Sequence, residues 1–248
     1  MDLGIEGKRA AVAAGSAGLG FGAARALVAA GAKVVICGRD PARLEAAVDR
    51  LGSGATGMVA DVADAAGATA FVEAASERLG GLDILVTNAG GPPPGNFADT
   101  PLDAYLPALE LNLLSTVAMC KAAVPAMQQQ GWGRVVAITS ITVRQPNEYL
   151  MLSNTARAGA TGFLKTLALE VASDGVSVNS VQPGYHATGR LAELPVEDSD
   201  AIIAGIPAGR MGEAEDLGQL VAFLCSTSAN FITGAAIPVD GGAYRGLQ

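Results

Sequence analysis

Residues 13–20 read Ala13-Ala14-Gly15-Ser16-Ala17-Gly18-Leu19-Gly20, between a candidate first strand and a candidate first helix. Glycines there let the backbone turn tightly and approach a pyrophosphate, which then rests on the N-terminus of the helix. A glycine-rich stretch alone is a weak signal, and this position makes it a stronger one. Gly38-Arg39 ends the second candidate strand. An acidic residue at that point would bond the adenosine ribose hydroxyls. Gly38 stands there instead, and the cation of Arg39 suits a 2′-phosphate, which favours NADP(H) over NAD(H) and leaves NAD(H) as the alternative. Asp61-Val62 is placed to contact the adenine edge, and Asn88-Ala89-Gly90 turns at the same sheet edge. His186, the single histidine, follows Pro183-Gly184-Tyr185. An imidazole there would be poised to titrate near neutrality.

The elements that would hold these residues alternate. Near-continuous apolar runs at 9–13, 33–37, 57–60, 84–87, 134–139, 177–181 and 236–239 read as strands covered on both faces. Helical patterns lie between them, at 18–30, 41–51, 65–79, 102–129 and 148–172. Such alternation implies right-handed βαβ units and an α/β fold of Rossmann type. The expectation is one domain over residues 1–248, with a doubly wound parallel sheet of about seven strands and helices on both faces. Ligands in that fold bind beyond the carboxyl ends of the strands, where the residues above fall.

Composition narrows the partners. Half of the 248 residues are apolar and 16% are charged, enough to bury a large core without disulfides or metals. Net charge is −8, so the basic face that nucleic acid requires is not expected. The first six residues lack the basic start and apolar core of a signal peptide, and no run approaches the ~20 apolar residues of a membrane helix. A soluble, cytoplasmic protein with no membrane partner is expected. Cys37, Cys120 and Cys225 are unpatterned and read as small buried hydrophobes. One histidine leaves little scope for a metal site.

The glycine loop, Asp61-Val62, Thr87-Asn88-Ala89-Gly90, Asn112, Ser140, Pro183-Gly184 and the stretch from Thr233-Gly234 to Val239-Asp240-Gly241-Gly242 together resemble the motif series of the short-chain dehydrogenase/reductases. The resemblance runs from about Gly7 to Gly242 and is closest to the 3-oxoacyl-carrier-protein-reductase-like branch. One glycine of that family's loop is Ala14 here. The resemblance implies a catalytic set of Asn, Ser, Tyr and Lys. Asn112 matches the Asn and Ser140 the Ser. The register set by Ala158-Gly159-Ala160 puts Ser153 at the Tyr position and Arg157 at the Lys position. A serine hydroxyl is a far poorer acid than a phenol, and Arg157 can still hold a ribose hydroxyl of the cofactor and supply positive charge but does not release its proton. Tyr149, one turn before Ser153 if the helix has begun, and His186 are the substitutes weighed for the missing proton donor. The resemblance also places Thr188 beside a nicotinamide carboxamide, with Pro183 and Gly184 in the same loop.

Two further segments border the expected site. Gly90-Gly91-Pro92-Pro93-Pro94-Gly95 would form a stiff wall beside a substrate. A lid is expected around residues 187–206, carrying Glu193, Glu197, Asp198 and Asp200 as a solvated face. The function expected first is NADP(H)-dependent reduction of a small-molecule carbonyl, or oxidation of the matching alcohol, with an atypical acid–base set. The alternatives are a non-redox lyase, cyclase or isomerase on the same scaffold and a catalytically silent subunit. The resemblance further implies a homo-oligomer, tetramer or dimer, built through the helices at 102–129 and 148–172.

Overall fold

A computed structural model of the protein describes residues 2–189, 191 and 199–247. Glu193, Glu197 and Asp198 of the expected lid lie outside the described residues; Asp200 falls on a short helix, α7 (Ser199–Ala204).

The seven strands are β1 (Arg9–Val12), β2 (Lys33–Gly38), β3 (Ala55–Val59), β4 (Ile84–Thr87), β5 (Gly133–Ile138), β6 (Val176–Pro183) and β7 (Ala236–Val239). They form one sheet in the order β3-β2-β1-β4-β5-β6-β7, and every pairing is parallel. The chain winds outward from β1 to β3, then returns to lay β4 on the other side of β1. That reversal opens the crevice at the carboxyl ends of β1 and β4, where the glycine loop begins.

Alternate side chains of each strand feed two cores. Val12, Ile36, Val86 and Ile138 face one side, where Phe21 and Leu27 of α1 (Gly18–Ala29), Leu44 of α2 (Pro41–Leu51) and Leu217 and Val221 of α8 (Ala214–Cys225) cover them. Ala11, Val35, Leu85 and Val135 face the other, under Phe71 of α3 (Ala65–Leu79), Met119 of α5 (Ser115–Gln129) and Leu164 of α6 (Met151–Val171). Coverage on both sides is why the central strands read as unbroken apolar runs.

Two expected helices differ in detail, one in its internal geometry and one in its start. The pattern over 102–129 is helical throughout, as expected, but it is not uniformly α. It comprises a 3₁₀ turn (Leu102–Ala104), α4 (Tyr105–Leu109), a π turn (Glu110–Leu114) and α5. The π turn swallows an extra residue and sets the buried Asn112 against the sheet edge. The helix expected from residue 148 starts at Met151. Tyr149 and Leu150 are instead tied to the proline-rich segment: Gly95 N–H donates to Tyr149 O (2.8 Å) and Met151 N–H to Gly95 O (3.2 Å).

Candidate active site

The loop after β1 is bound on three sides. Gly15 N–H donates to Cys37 O at the end of β2 (2.9 Å). Ala14 N–H donates to Cys37 Sγ (3.3 Å), and Asn88 Nδ2 donates to Ala14 O (3.4 Å). Ala14 is the one non-glycine with positive φ, +47°, among the described residues. The left-handed region costs an L-residue roughly 1–2 kcal/mol, so the methyl group that replaces the family's glycine carries backbone strain at the turn. Cys37 is fully buried, and desolvation pushes its thiol up to about 11, which makes it an inert acceptor.

Past the turn, α1 begins at Gly18 with φ +55°. No side chain caps its N-terminus, and its first turn holds no acidic residue. The orphan amides of such a helix start are an anion site. Gly20 cannot be larger, since a Cβ there would lie 2.4 Å from Ala14 O. Thr188 lies over the helix start, within 3.7 Å of where a Gly18 Cβ would be. The loop after β6 and the loop after β1 thus close on one space. At its far end Ser16 packs over Gly38, whose Cβ would stand 2.5 Å from Ser16 Oγ. Arg39 projects beside it, 77% exposed and loosely paired with Asp61 at 3.9 Å. Asp61 Oδ1 accepts from Ala63 N–H (3.0 Å), and Val62 is buried. Leu19 and Ala89 pack on the two cores behind the loops.

The second group lies at the end of β5. Ser140 Oγ accepts from Thr142 N–H (3.1 Å) and shares a hydrogen bond with Thr142 Oγ1 (2.9 Å). Arg157 Nη1 donates to Ile138 O and Thr139 O, both at 3.1 Å, and so grips the carbonyl end of the strand that presents Ser140. Ser153, one turn earlier on α6, is 8% exposed. Its hydroxyl makes no hydrogen bond to a described residue. Asn112 Nδ2 donates to Gly90 O (2.8 Å), while its Oδ1 is buried with no protein partner among the described residues. Asn112, Ser140 and Arg157 therefore anchor at neighbouring strand ends. Thr142, which orients the Ser140 hydroxyl, is absent from the family motif series read in the sequence; the Ser-x-Thr spacing is its one local signal.

The two substitute proton donors are placed differently from expectation. Tyr149 precedes α6 rather than riding its first turn, so the helical spacing to Ser153 does not apply, and its side chain is half-exposed. His186 is 6% exposed. Its Nδ1 lies 3.1 Å from Gly184 O, and its ring packs so closely on Gly212 that a Cβ there would be 2.7 Å from Nε2. Burial pushes its pKa below the ordinary 6.5, opposed by the Gly184 carbonyl and by Asp216 and Glu213, and assisted by Arg210. The imidazole is held neutral rather than poised at neutrality. Because the folded value lies below the unfolded one, stability is intact above pH 6.5 and falls as acid protonates the unfolded chain first. His186→Leu is expected to flatten the acid side of a plot of melting temperature against pH. The slope removed is up to about 1.4 kcal/mol per pH unit. An unchanged profile would deny His186 that role.

A family model described as enoyl-(acyl carrier protein) reductase matches residues 13–244. The 3-oxoacyl-[acyl-carrier-protein] reductase FabG of Escherichia coli (strain K12) is 36% identical over 242 residues, which cover 98% of this chain and 99% of that protein. Dehydrogenase/reductase SDR family member 4 of Pongo abelii is 34% identical over 244 residues, covering 96% and 88%. Among solved structures, L-sorbose reductase from Gluconobacter frateurii, complexed with NADPH and L-sorbose, superposes with a TM-score of 0.92 at 31% identity over 100% of both chains. A 7α-hydroxysteroid dehydrogenase complexed with NADH and 7-oxo glycochenodeoxycholic acid gives 0.92 at 28% identity, over 100% of this chain and 98% of that one.

Proposed function

The chain belongs to the short-chain dehydrogenase/reductase family, and from that premise we propose that it is an NADP(H)-dependent oxidoreductase that reduces a small-molecule carbonyl or oxidises the matching alcohol. The observation that carries this is the uncapped N-terminus of α1 beneath Thr188. Its orphan amides and close-approach glycines suit a pyrophosphate. Arg39, whose exposed pairing with Asp61 is weak, is placed to turn onto a 2′-phosphate. Asp61 and Val62 would border the adenine, and Asn88, Ala89 and Gly90 the adjoining ribose. Pro183, Gly184 and Thr188 would border the nicotinamide.

When bound, the nicotinamide supplies or accepts the hydride. The chain's own part is to hold the substrate oxygen and manage its proton. Thr142 N–H donates to Ser140 Oγ, and either hydroxyl of the pair can donate to the other; when Thr142 Oγ1 is the donor, the serine proton is directed outward and can bond a carbonyl oxygen. Arg157 keeps a fixed positive charge at the strand end, which favours a developing negative charge nearby. The Ser153 side chain is shorter than a phenol by a whole ring and its hydroxyl is a far poorer acid, so it does not take over the proton-donor role of a phenol.

The test is a binding titration of NADPH and NADH. Selective NADPH binding is expected, and Arg39→Ala should weaken it about 10- to 100-fold while leaving NADH unchanged, the loss of one charge-assisted phosphate contact. Failure to bind either nucleotide would overturn the redox function. Product formation without net NADPH oxidation would transfer the chain to non-redox chemistry.

We also propose a homo-oligomer. Leu102, Leu106, Leu114 and Leu169 are exposed on the helical segments expected to pair. Light scattering of the purified chain reads its mass directly, and a monomer at micromolar concentration would remove the proposal.

A further inference from the structure

At the amino-terminal ends of the strands, away from the glycine loop, β5 opens with Gly133-Arg134 and β6 with Val176-Ser177. Ser140 lies beyond the other end of β5, roughly 20 Å away at about 3.3 Å per residue. A cleft of about 280 Å³ lies at the near end, lined by Trp132, Arg134, Ser177, Asn230 and Thr233 with the backbone around Gly175.

Every polar side chain that lines this cleft is a cation or can donate a hydrogen bond. Arg134 is 3% exposed. Its Nη1 donates to Gly133 O (2.8 Å) and Gly175 O (3.3 Å), and its Nη2 donates to Asn230 Oδ1. Its Nε–H is buried with no partner among the described residues. Ser177 is 5% exposed, and its Oγ is likewise unpartnered among the described residues. Asn230 spends its carbonyl on Arg134, which leaves its amide hydrogens to point elsewhere. Thr233 Oγ1 accepts from Val178 N–H (3.1 Å), so its own proton is available.

Two cations flank the Trp132 ring, of which Lys8 also acts on the Asp83 carboxylate. The Arg134 guanidinium stands 4.3 Å from the Trp132 ring centroid, and Lys8 Nζ is 3.9 Å from the same ring. No carboxylate pairs with Arg134 among the described residues. Asp174 is nearby in sequence, but its carboxylate accepts from Gln128 Nε2 (2.6 Å). The titratable group that does act on Arg134 is Cys225, a buried thiol raised to about 12 and therefore neutral. A buried guanidinium without a counter-charge, beside an unspent N–H and an unspent hydroxyl, is an arrangement that an anion completes.

We propose that this cleft binds a small oxyanion, a carboxylate or a phosphate, on Arg134 and Ser177, with Asn230 and Thr233 as further donors. The site is independent of the nucleotide site at the carboxyl ends of the strands, so its failure would leave the proposed function standing. The experiment follows the Arg134 Nε–H resonance by NMR while inorganic phosphate, and separately acetate, is added at constant ionic strength. A saturable shift at low-millimolar anion is expected, at least tenfold weaker in Ser177→Ala, with NADPH affinity unchanged. Ser177→Ala removes an unpartnered hydroxyl and should fold normally. Response to phosphate alone, to acetate alone or to both identifies the anion. An unsaturated shift with both anions, or an identical titration in Ser177→Ala, would overturn the site and leave Arg134 as a tie between strand ends.

Discussion

Restoring the acid–base pair with Ser153→Tyr and Arg157→Lys together is expected to raise kcat for NADPH-dependent carbonyl reduction by about 10²-fold or more. A positioned general acid contributes roughly 10²–10⁴ in rate. A phenol, with a solution pKa of about 10, can be tuned toward neutrality by an adjacent cation, whereas an aliphatic hydroxyl cannot. The single changes should each gain far less. In Ser153→Tyr alone, the cation that should tune the phenol is still Arg157, whose guanidinium is committed to Ile138 O and Thr139 O. In Arg157→Lys alone, the new ammonium has no phenol to act on. The double variant should therefore exceed the product of the singles, as coupled residues do. The measurement is a four-member kinetic cycle at saturating NADPH. A double variant no faster than the parent would show that the chain moves its proton by a route independent of residue 153.

Ser140→Ala is expected to lower kcat about 10²- to 10³-fold, the typical loss of one donor aimed at a reacting oxygen. The Ser140 hydroxyl bonds only the Thr142 hydroxyl and amide among the described residues, so NADPH binding should not change. Stability should fall by about 1 kcal/mol, because Thr142 N–H loses its partner in a part-buried turn. Thr142→Val, which keeps the amide but removes the hydroxyl that orients Ser140, should cost about tenfold in kcat. Full turnover in Ser140→Ala would dismiss this serine as the donor to the substrate oxygen.

The elements that flank the glycine loop are more legible in the sequence than those around Asn112 and the start of α6, for physical reasons. Helices α2 and α3 match their expected bounds because both ends are marked locally. Asp40 and Asp64 cap their first turns by accepting from Arg43 N–H and Gly67 N–H, and Gly52 and Gly80 stop them at positive φ. Strands β1, β2 and β4 are visible because coverage on both faces leaves near-continuous apolar runs, whereas the edge strands β3 and β7 are only partly buried and β6 carries Ser177, Asn179 and Ser180. Hydropathy does not reveal the π turn at Asn112 because the apolar pattern and the helical backbone both continue through it. That turn is set by packing and by the Asn112–Gly90 hydrogen bond. The same pattern starts α6 too early because Tyr149 and Leu150 are bound by Gly95, far back in the chain, a contact that local patterning does not encode. The neutral state of His186 is hidden for the same kind of reason. Its environment is made by Gly212, Glu213 and Asp216, which arrive from a distant segment.

The strand-like bridge between Gly95 and Leu150 has a consequence for how the protein breathes. The proline-rich wall does not hang as an independent loop: its last residue exchanges two backbone hydrogen bonds with the segment that leads into α6. Opening the wall therefore means unzipping the entry to the helix that carries Ser153 and Arg157. Lifting the wall breaks the two hydrogen bonds that tie Gly95 to the entry of α6. Hydrogen exchange at the Gly95 and Met151 amides is therefore expected to rise and fall together, and independent protection of the two would separate the wall from the helix start.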